Sequence, residues 1–326
     1  MLKIALIGAG RIGRIHAANA AAHPDLTLSH VVDPVADVAQ AIARETGAQV
    51  SSLETVLADP EVAGVIVASS TESHLDHCLA AHAAGKAIFC EKPLDLDLAR
   101  ARAAAGELAG ARLFLGFNRR FDPNFQALKA RLDAGAVGGL ETLQITSNDP
   151  GPPPIAYVKV SGGLFKDMAI HDFDMARWLL GEEPAEVFAW ASCLVDPAIG
   201  EAGDVDTART VLKTASGRLC VIANSRRSGF GYDQRIEAYG AAGMVRAANV
   251  VESTVDVWTE AGAQADRFQN FFLDRYAAAY RVEMAHFAQV AAGKVAPAVG
   301  YADGIAALAL AEAAAQSVRT GRPVKL

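Results

Sequence analysis

The amino-acid sequence predicts an α/β domain followed by an α+β domain. The first is an N-terminal Rossmann-type doubly wound parallel sheet. The second is a C-terminal domain of open-faced antiparallel sheet and helices. Three observations carry this expectation. From Lys3 to Asn118, short apolar β runs alternate with helix-like segments. The glycine-rich stretch "GAGRIG" sits where the first run gives way to the first helix. From Ala185 to about Trp258, long β runs follow one another through turns. Strand-then-helix alternation specifies a parallel sheet covered on both faces, whereas runs of strands joined by turns build an antiparallel one.

Each element has its own signal. "KIALIGAG" reads as a buried strand, followed by a helix from about Arg11 to Ala22. "LTLSHVVD" is a second strand, and Ala36 to Thr46 a second helix. "AGVIVAS" is a third, with a helix beginning near Glu72. "GKAIFCEKP" and "ARLFLGFN" are the fourth and fifth, with a helix near Leu96 to Leu108 between them. Beyond Asn118 the pattern changes. A helix from about Pro123 to Ala134 leads into the strand "LETLQITSND", and the rigid break "DPGPPP" follows. Then come a helix within residues 161–180 and the runs "AEVFAWASCLV", "DTARTVLKTA", "RLCVIANSRR", "DQRIEAYG" and "GMVRAAN". Helices near Phe271–Ala292 and Tyr301–Thr320 finish the chain. With 326 residues, about two domains are expected, and the pattern divides them into 1–120 and 121–326.

Composition narrows the function. Hydrophobic residues make up 52% and charged residues 21%, enough to bury a large core. The net charge of −7, with no basic run, argues against nucleic acid and acidic membranes as partners. "MLKIALIG" enters a strand directly, so no signal peptide is read. The apolar "GIAALALAEAAAQSV" carries Glu312 and is too short to span a bilayer. Cys78, Cys90, Cys193 and Cys220 form no C-x-x-C pair, so neither a zinc site nor a disulfide framework is indicated. A soluble cytoplasmic protein is the expectation.

"GAGRIG" puts Gly8, Gly10 and Gly13 in G-x-G-x-x-G order between a strand and a helix, the context that a dinucleotide site requires. Gly8 permits the tight turn, Gly10 leaves room for a pyrophosphate, and Gly13 lets helix and strand pack closely. The helix start offers free N–H groups and a positive dipole end to phosphates. Arg11 and Ile12 complete the expected cofactor loop. Asp33 ends the second strand, where an acid accepts hydrogen bonds from ribose hydroxyls and repels a 2′-phosphate. NAD is therefore expected over NADP. "ASSTESH" follows the third strand at the sheet's ligand-binding edge. Ser70 and Thr71 could contact the cofactor there, although Thr71 and Ser73 could equally cap a helix. His74 is placed with the cofactor residues, with capping or packing as the other reading.

"FCEKP" ends the next parallel strand, so Lys92 stands at the ligand edge and could reach a substrate oxygen. In "SGGLFKDMAIHDFDMARWLL", Asp167, His171 and Asp174 recur at spacings of four and three beside an apolar stripe. Residues four apart share a helix face. A solvated helix edge with a chance contact is one reading of Asp167 and His171, and an acid–base pair is the other. A metal site built from Asp167, His171 and Asp174 is a rival, but hydride chemistry needs none and no further ligand cluster is evident. No metal is expected.

"GAGRIGRIH", "EKP", "GFNRRFDPNF" and "GGLFKDMAIHDFD" resemble the Gfo/Idh/MocA family of NAD(P)-dependent sugar and polyol oxidoreductases, over essentially the whole chain. "DPGPPP", "CLVDPAIGEAGDVDTA", "GYDQRIEAYG" and "RFQNFFLDRYAAAY" are more similar to the inositol 2-dehydrogenases of that family. The resemblance implies a homotetramer or dimer built through the C-terminal sheet. It implies that Lys92 is the lysine of the EKP motif, with Glu91 beside it on the cofactor side, and that Asp167 and His171 are the D-x-x-x-H pair. Arg119 and Arg120 match an arginine pair, of which Arg119 is expected to bind substrate together with Tyr232. The expected reaction is NAD-dependent oxidation of myo-inositol at C2, with His171 as general base, Asp167 as its orienter and Lys92 stabilising the oxygen. Asp167 could instead touch substrate directly. The alternatives are another inositol isomer (scyllo or D-chiro) or an aldose as substrate, or a cofactor-binding regulatory protein without turnover.

Overall fold

The computed structural model describes residues 1–326. Two compact units make up the chain: Met1–Phe121 with Ala279–Leu308, and Asp122–Ala278 with Ala309–Leu326. The division expected from sequence is contiguous, whereas these units are not. The segment Ala279–Leu308 belongs with the N-terminal unit.

The first unit begins with β1 (Leu2–Ile7), α1 (Arg11–Ala22), β2 (Leu26–Val32), α2 (Ala36–Thr46), β3 (Gln49–Val50) and α3 (Leu53–Ala58). It continues with β4 (Val62–Val67), α4 (His74–Ala83), β5 (Ala87–Glu91), α5 (Leu98–Ala103) and β6 (Leu113–Gly116). The strands pair in the order β3-β2-β1-β4-β5-β6, and every pair is parallel. The order reverses between β1 and β4, and the crevice at the carboxyl ends of such strands is where open α/β sheets bind ligands. The central strands are buried on both faces, as the continuous apolar run "VIV" in β4 and "AIFC" in β5 requires. The short pair β3 and α3 was absent from the sequence expectation, since two strand residues and six helical ones give no measurable period.

The second unit comprises α6 (Pro123–Asp133), β7 (Leu140–Asn148), α7 (Ile155–Val158), α8 (Ile170–Leu180), β8 (Pro184–Ser192), α9 (Pro197–Glu201), β9 (Thr207–Thr214) and β10 (Leu219–Ser225). Then come β11 (Asp233–Gly240), β12 (Gly243–Ala247), the small hairpin β13 (Asp256–Thr259) and β14 (Gly262–Ala265), and α10 (Phe272–Arg275). Two long helices, α11 (Ala277–Ala291) and α12 (Tyr301–Thr320), precede the closing strand β15 (Val324–Lys325); α11 belongs to the first unit from Ala279 on, and α12 returns to the second at Ala309. The large sheet runs β12-β11-β7-β10-β9-β8-β15. It is mixed rather than purely antiparallel, because β10 pairs with β7 in parallel while the remaining pairs run antiparallel. Helices cover one face: Asn224 of β10 donates to the fully buried Asp172 of α8 at 2.8 Å, and Ala189 N–H of β8 donates to Ser317 of α12 at 3.0 Å. Asp122 caps α6 by accepting from the N–H groups of Asn124 and Phe125, with Pro123 at the first helical position. Its carboxylate also pairs with Arg275, and both side chains are buried.

Candidate functional site

The first unit gathers its expected site residues along one sheet edge. Gly8 follows β1 with φ +98°, and a Cβ there would lie 2.3 Å from the Ser69 backbone nitrogen, so only glycine fits. A Cβ on Gly13 would lie 2.0 Å from the Gly8 carbonyl oxygen, which is why α1 packs so closely on β1. Gly10 is different, because a Cβ there would meet nothing within 4 Å. Its missing side chain leaves room on the outer side of the turn, where a pyrophosphate would approach. No side chain caps α1, which leaves the N–H groups at its start to a ligand. Arg11 and Ile12 form its first turn, with Arg11 exposed. Asp33, just beyond β2, is half-buried. Its Oδ2 accepts from Ala9 N–H at 2.7 Å and its Oδ1 from Val35 N–H at 2.8 Å. The acid thus ties the glycine turn to the end of β2 while each oxygen keeps a lone pair for a ribose hydroxyl. These residues fit a dinucleotide.

Ser70 and Thr71 lie after β4, in and beside a short 3₁₀ turn (Thr71–Ser73). Of the two residues that could cap a helix, Ser73 makes no side-chain cap on α4, and Thr71 lies inside the short turn rather than at its N-cap. His74 is only 2% exposed. Its Nδ1 contacts the Pro93 carbonyl oxygen at 2.8 Å and its Nε2 the Ser69 carbonyl oxygen at 3.1 Å. It therefore clasps the segments after β4 and β5. Glu91 is likewise turned inward, with its Oε1 2.6 Å from His16 Nε2 and its Oε2 accepting from Lys92 N–H at 3.2 Å. Lys92 itself is half-buried and precedes Pro93 through a cis peptide bond. Arg119 is buried in the 3₁₀ turn Asn118–Phe121.

The second unit holds Asp167 and His171, the residues expected to form an acid–base pair. The helix expected over residues 161–180 is in fact two pieces: a π-helical turn, Phe165–Ala169, and then α8. Asp167 sits in the π turn and His171 in the first turn of α8. Such widened turns are frequent at functional sites. The Asp167 carboxylate is held on both sides. Tyr157 OH donates to Oδ1 at 2.9 Å, and Arg226 Nη2 to Oδ2 at 3.1 Å. Arg226 is 3% exposed and also lies 3.5 Å from Asp149. Asp174 is buried and lies 3.8 Å from Arg177. Tyr232, just before β11, is buried with its ring edge-on to Tyr276, at 6.0 Å between centroids. Tyr157, Arg226 and Asp149 were not singled out from sequence. Tyr157 and Arg226 reach Asp167 from 10 and 59 residues away, Asp149 reaches Arg226, and only the fold brings them there.

A Rossmann edge shaped for a dinucleotide, with an acid where the ribose hydroxyls fall, defines an NAD-binding oxidoreductase. Comparison with known proteins gives the lineage. Residues 2–117 match the oxidoreductase family with an NAD-binding Rossmann fold, and residues 125–246 match the GFO/IDH/MocA C-terminal domain. The chain is 44% identical to an inositol 2-dehydrogenase of Rhizobium meliloti (strain 1021), covering 100% of this chain and 99% of that one. It is 46% identical to a myo-inositol 2-dehydrogenase of Thermotoga maritima, covering 100% and 98%. The crystal structure of a myo-inositol dehydrogenase from Corynebacterium glutamicum superposes with a TM-score of 0.96 at 43% identity, covering 100% and 99%. This chain belongs to the GFO/IDH/MocA family, and its cofactor is NAD.

Proposed function

We propose that this enzyme oxidises myo-inositol at C2 to the 2-keto compound. Oxidation of a secondary alcohol removes a proton from oxygen and a hydride from carbon. NAD, when bound, accepts the hydride. In this reading His171 takes the hydroxyl proton as general base, and Asp167 orients the imidazole and stabilises the imidazolium. Lys92 hydrogen-bonds the same oxygen and stabilises its developing charge. Arg119 and Tyr232 are read as substrate contacts, and Ser70 and Thr71 as cofactor contacts.

The observation that carries the reading is the fixed Asp167 carboxylate, one helical turn from His171 and buttressed by Arg226 and Tyr157. A solvated helix edge has no use for a nearly buried guanidinium. The full-length similarity to inositol dehydrogenases supports the choice of substrate. The test is a panel of myo-, scyllo- and D-chiro-inositol and aldoses with NAD, scored by kcat/KM. A higher value for any compound other than myo-inositol would refute the assignment. Tight NAD binding without turnover of any compound would favour a regulatory protein.

We also read the enzyme as a cytoplasmic homotetramer or dimer joined through the open face of the large sheet. No helix is long and apolar enough to cross a membrane. The outward strand positions Phe188, Val211 and Val221 stand side by side on β8, β9 and β10, with Trp190 next to Phe188 and 66% exposed. A contiguous apolar stripe of this kind favours a protein partner. Sedimentation of the native chain and of a Trp190→Glu, Val221→Glu variant tests this, with dissociation expected in the variant.

A further inference from the structure

The proposed mechanism leaves one buried polar cluster of the first unit unused. His16 of α1 is fully buried, edge-on to Phe89 and Tyr280 with centroids 4.6 and 5.8 Å away. Its Nε2 meets the Glu91 carboxylate at 2.6 Å. Glu283 of α11 is 0% exposed, and neither of its carboxyl oxygens has a hydrogen-bond partner. One polar atom from each of the three residues falls within 4.8 Å of the others.

A metal does not explain this arrangement. Two donors on one tetrahedral ion at bond lengths near 2.0–2.1 Å stand about 3.3 Å apart, and His16 and Glu91 are already closer than that. The alternative is a difference in protonation. An ionised Glu283 would face the Glu91 carboxylate with no compensating donor, and unpaired buried charge is strongly disfavoured. Burial first, and then the Glu91 charge, pushes the Glu283 carboxyl well above the usual carboxylate range. Burial alone would raise Glu91 too, but the hydrogen bond and charge of His16, with Lys92 and His74, outweigh it and hold that carboxyl low. Two neighbouring acids driven apart in this way take different roles.

We infer that Glu283 is a positioning residue: as an uncharged acid it leaves Glu91 the only negative charge in the cluster, so that Glu91 keeps its hold on both His16 and the Lys92 backbone N–H. This rests on Lys92 acting at the reacting oxygen. The groups facing Glu283 are Glu91 on β5 and His16 on α1, with Tyr280 three residues back on its own helix. When Glu283 ionises, the second charge drives Glu91 off one of its partners, and the peptide carrying Lys92 shifts.

The experiment uses the full chain and its Glu283→Gln variant, which keeps the shape of a neutral acid and cannot ionise. An acid held protonated in the folded state contributes stability that is complete below its unfolded value near 4.5. That contribution is lost as pH rises towards its folded value. The glutamine variant has no such loss. Its Tm should therefore gain on the native protein by about 2 °C per pH unit from pH 5 upward. Its kcat should hold several-fold better than the native kcat on the alkaline side, with KM for NAD little changed in either. Parallel Tm curves would overturn the inference, as would stabilisation of the native chain alone by added Zn²⁺. Lys92→Met with normal kcat would instead remove the role of Lys92, and it would leave the Tm comparison standing, so the two failures are distinguishable.

Discussion

Replacing Asp33 with Ser should reverse much of the cofactor preference, and the structure sets the size of the effect. The native carboxylate has two duties. It holds the N–H groups of Ala9 and Val35 at 2.7 and 2.8 Å, and it offers its remaining lone pairs to the adenosine ribose. A hydrogen bond to a charged group is worth about 1.5–3 kcal/mol net. Losing the ribose contact should then lower kcat/KM for NAD by roughly 10–150-fold. The same change removes repulsion of a 2′-phosphate, worth about 1 kcal/mol per unit charge in water and up to about 4 where the effective dielectric is near 20. The NAD/NADP ratio of kcat/KM should fall by roughly 10² or more. The backbone duty adds a second, separable effect: the variant should melt several degrees lower without any cofactor, because the glycine turn loses its tie to β2. Initial rates with each cofactor, and melting of the cofactor-free chain, measure the two. An unchanged ratio, or a native protein that prefers NADP, would refute this account of Asp33.

Three further expectations follow from named side chains. Lys92→Met should bind NAD but lose about 10²–10³ in kcat, the usual cost of one charge-assisted contact made mainly in the transition state; near-normal kcat would remove it from the mechanism. His171→Ala should cost nearly as much as the double change with Asp167→Ala, because residues acting as one unit are non-additive. It should also abolish the acidic limb of the kcat/KM profile, and additive losses would mean that the two residues bind substrate independently. Asp122→Ala removes a helix cap, worth about 1 kcal/mol, and strands the buried Arg275, for about 3–5 kcal/mol more. Denaturant unfolding that shows a loss under about 2 kcal/mol would contradict the ion pair.

Local patterns made much of this fold legible. The period of the β runs and the glycine turn announce the parallel sheet, and α6 is marked by Asp122-Pro123 at its start. The parallel pairing of β10 with β7 was hidden, because strand neighbours far apart in sequence leave no trace in either strand's own alternation. The same reason explains the site. Asp167 and His171 are visible as a spacing of four, but Arg226 is 59 residues from Asp167 and carries no motif. Glu283 reads as one more polar residue on an alanine-rich helix. Its burial against His16 and Glu91 depends on a return of the chain that no local signal encodes. The π turn at Phe165–Ala169 is not legible in the sequence, since a single widened turn of five residues is too short to show a period of its own.

The return of Ala279–Leu308 to the N-terminal unit has a consequence for synthesis. On the ribosome, residues 1–121 emerge long before the segment that completes them. Until then Phe89 lacks Phe287, which lies 5.6 Å away in the finished core. The edge strand β6 also lacks the Val299 carbonyl that receives the Leu115 N–H at 3.0 Å. A nascent chain of that length therefore presents an uncovered apolar face and an open strand edge, the two features that invite aggregation. The cofactor-binding half cannot mature as an autonomous module: its assembly waits for almost the whole chain, and the second unit, which takes Ala309–Leu326, is completed later still.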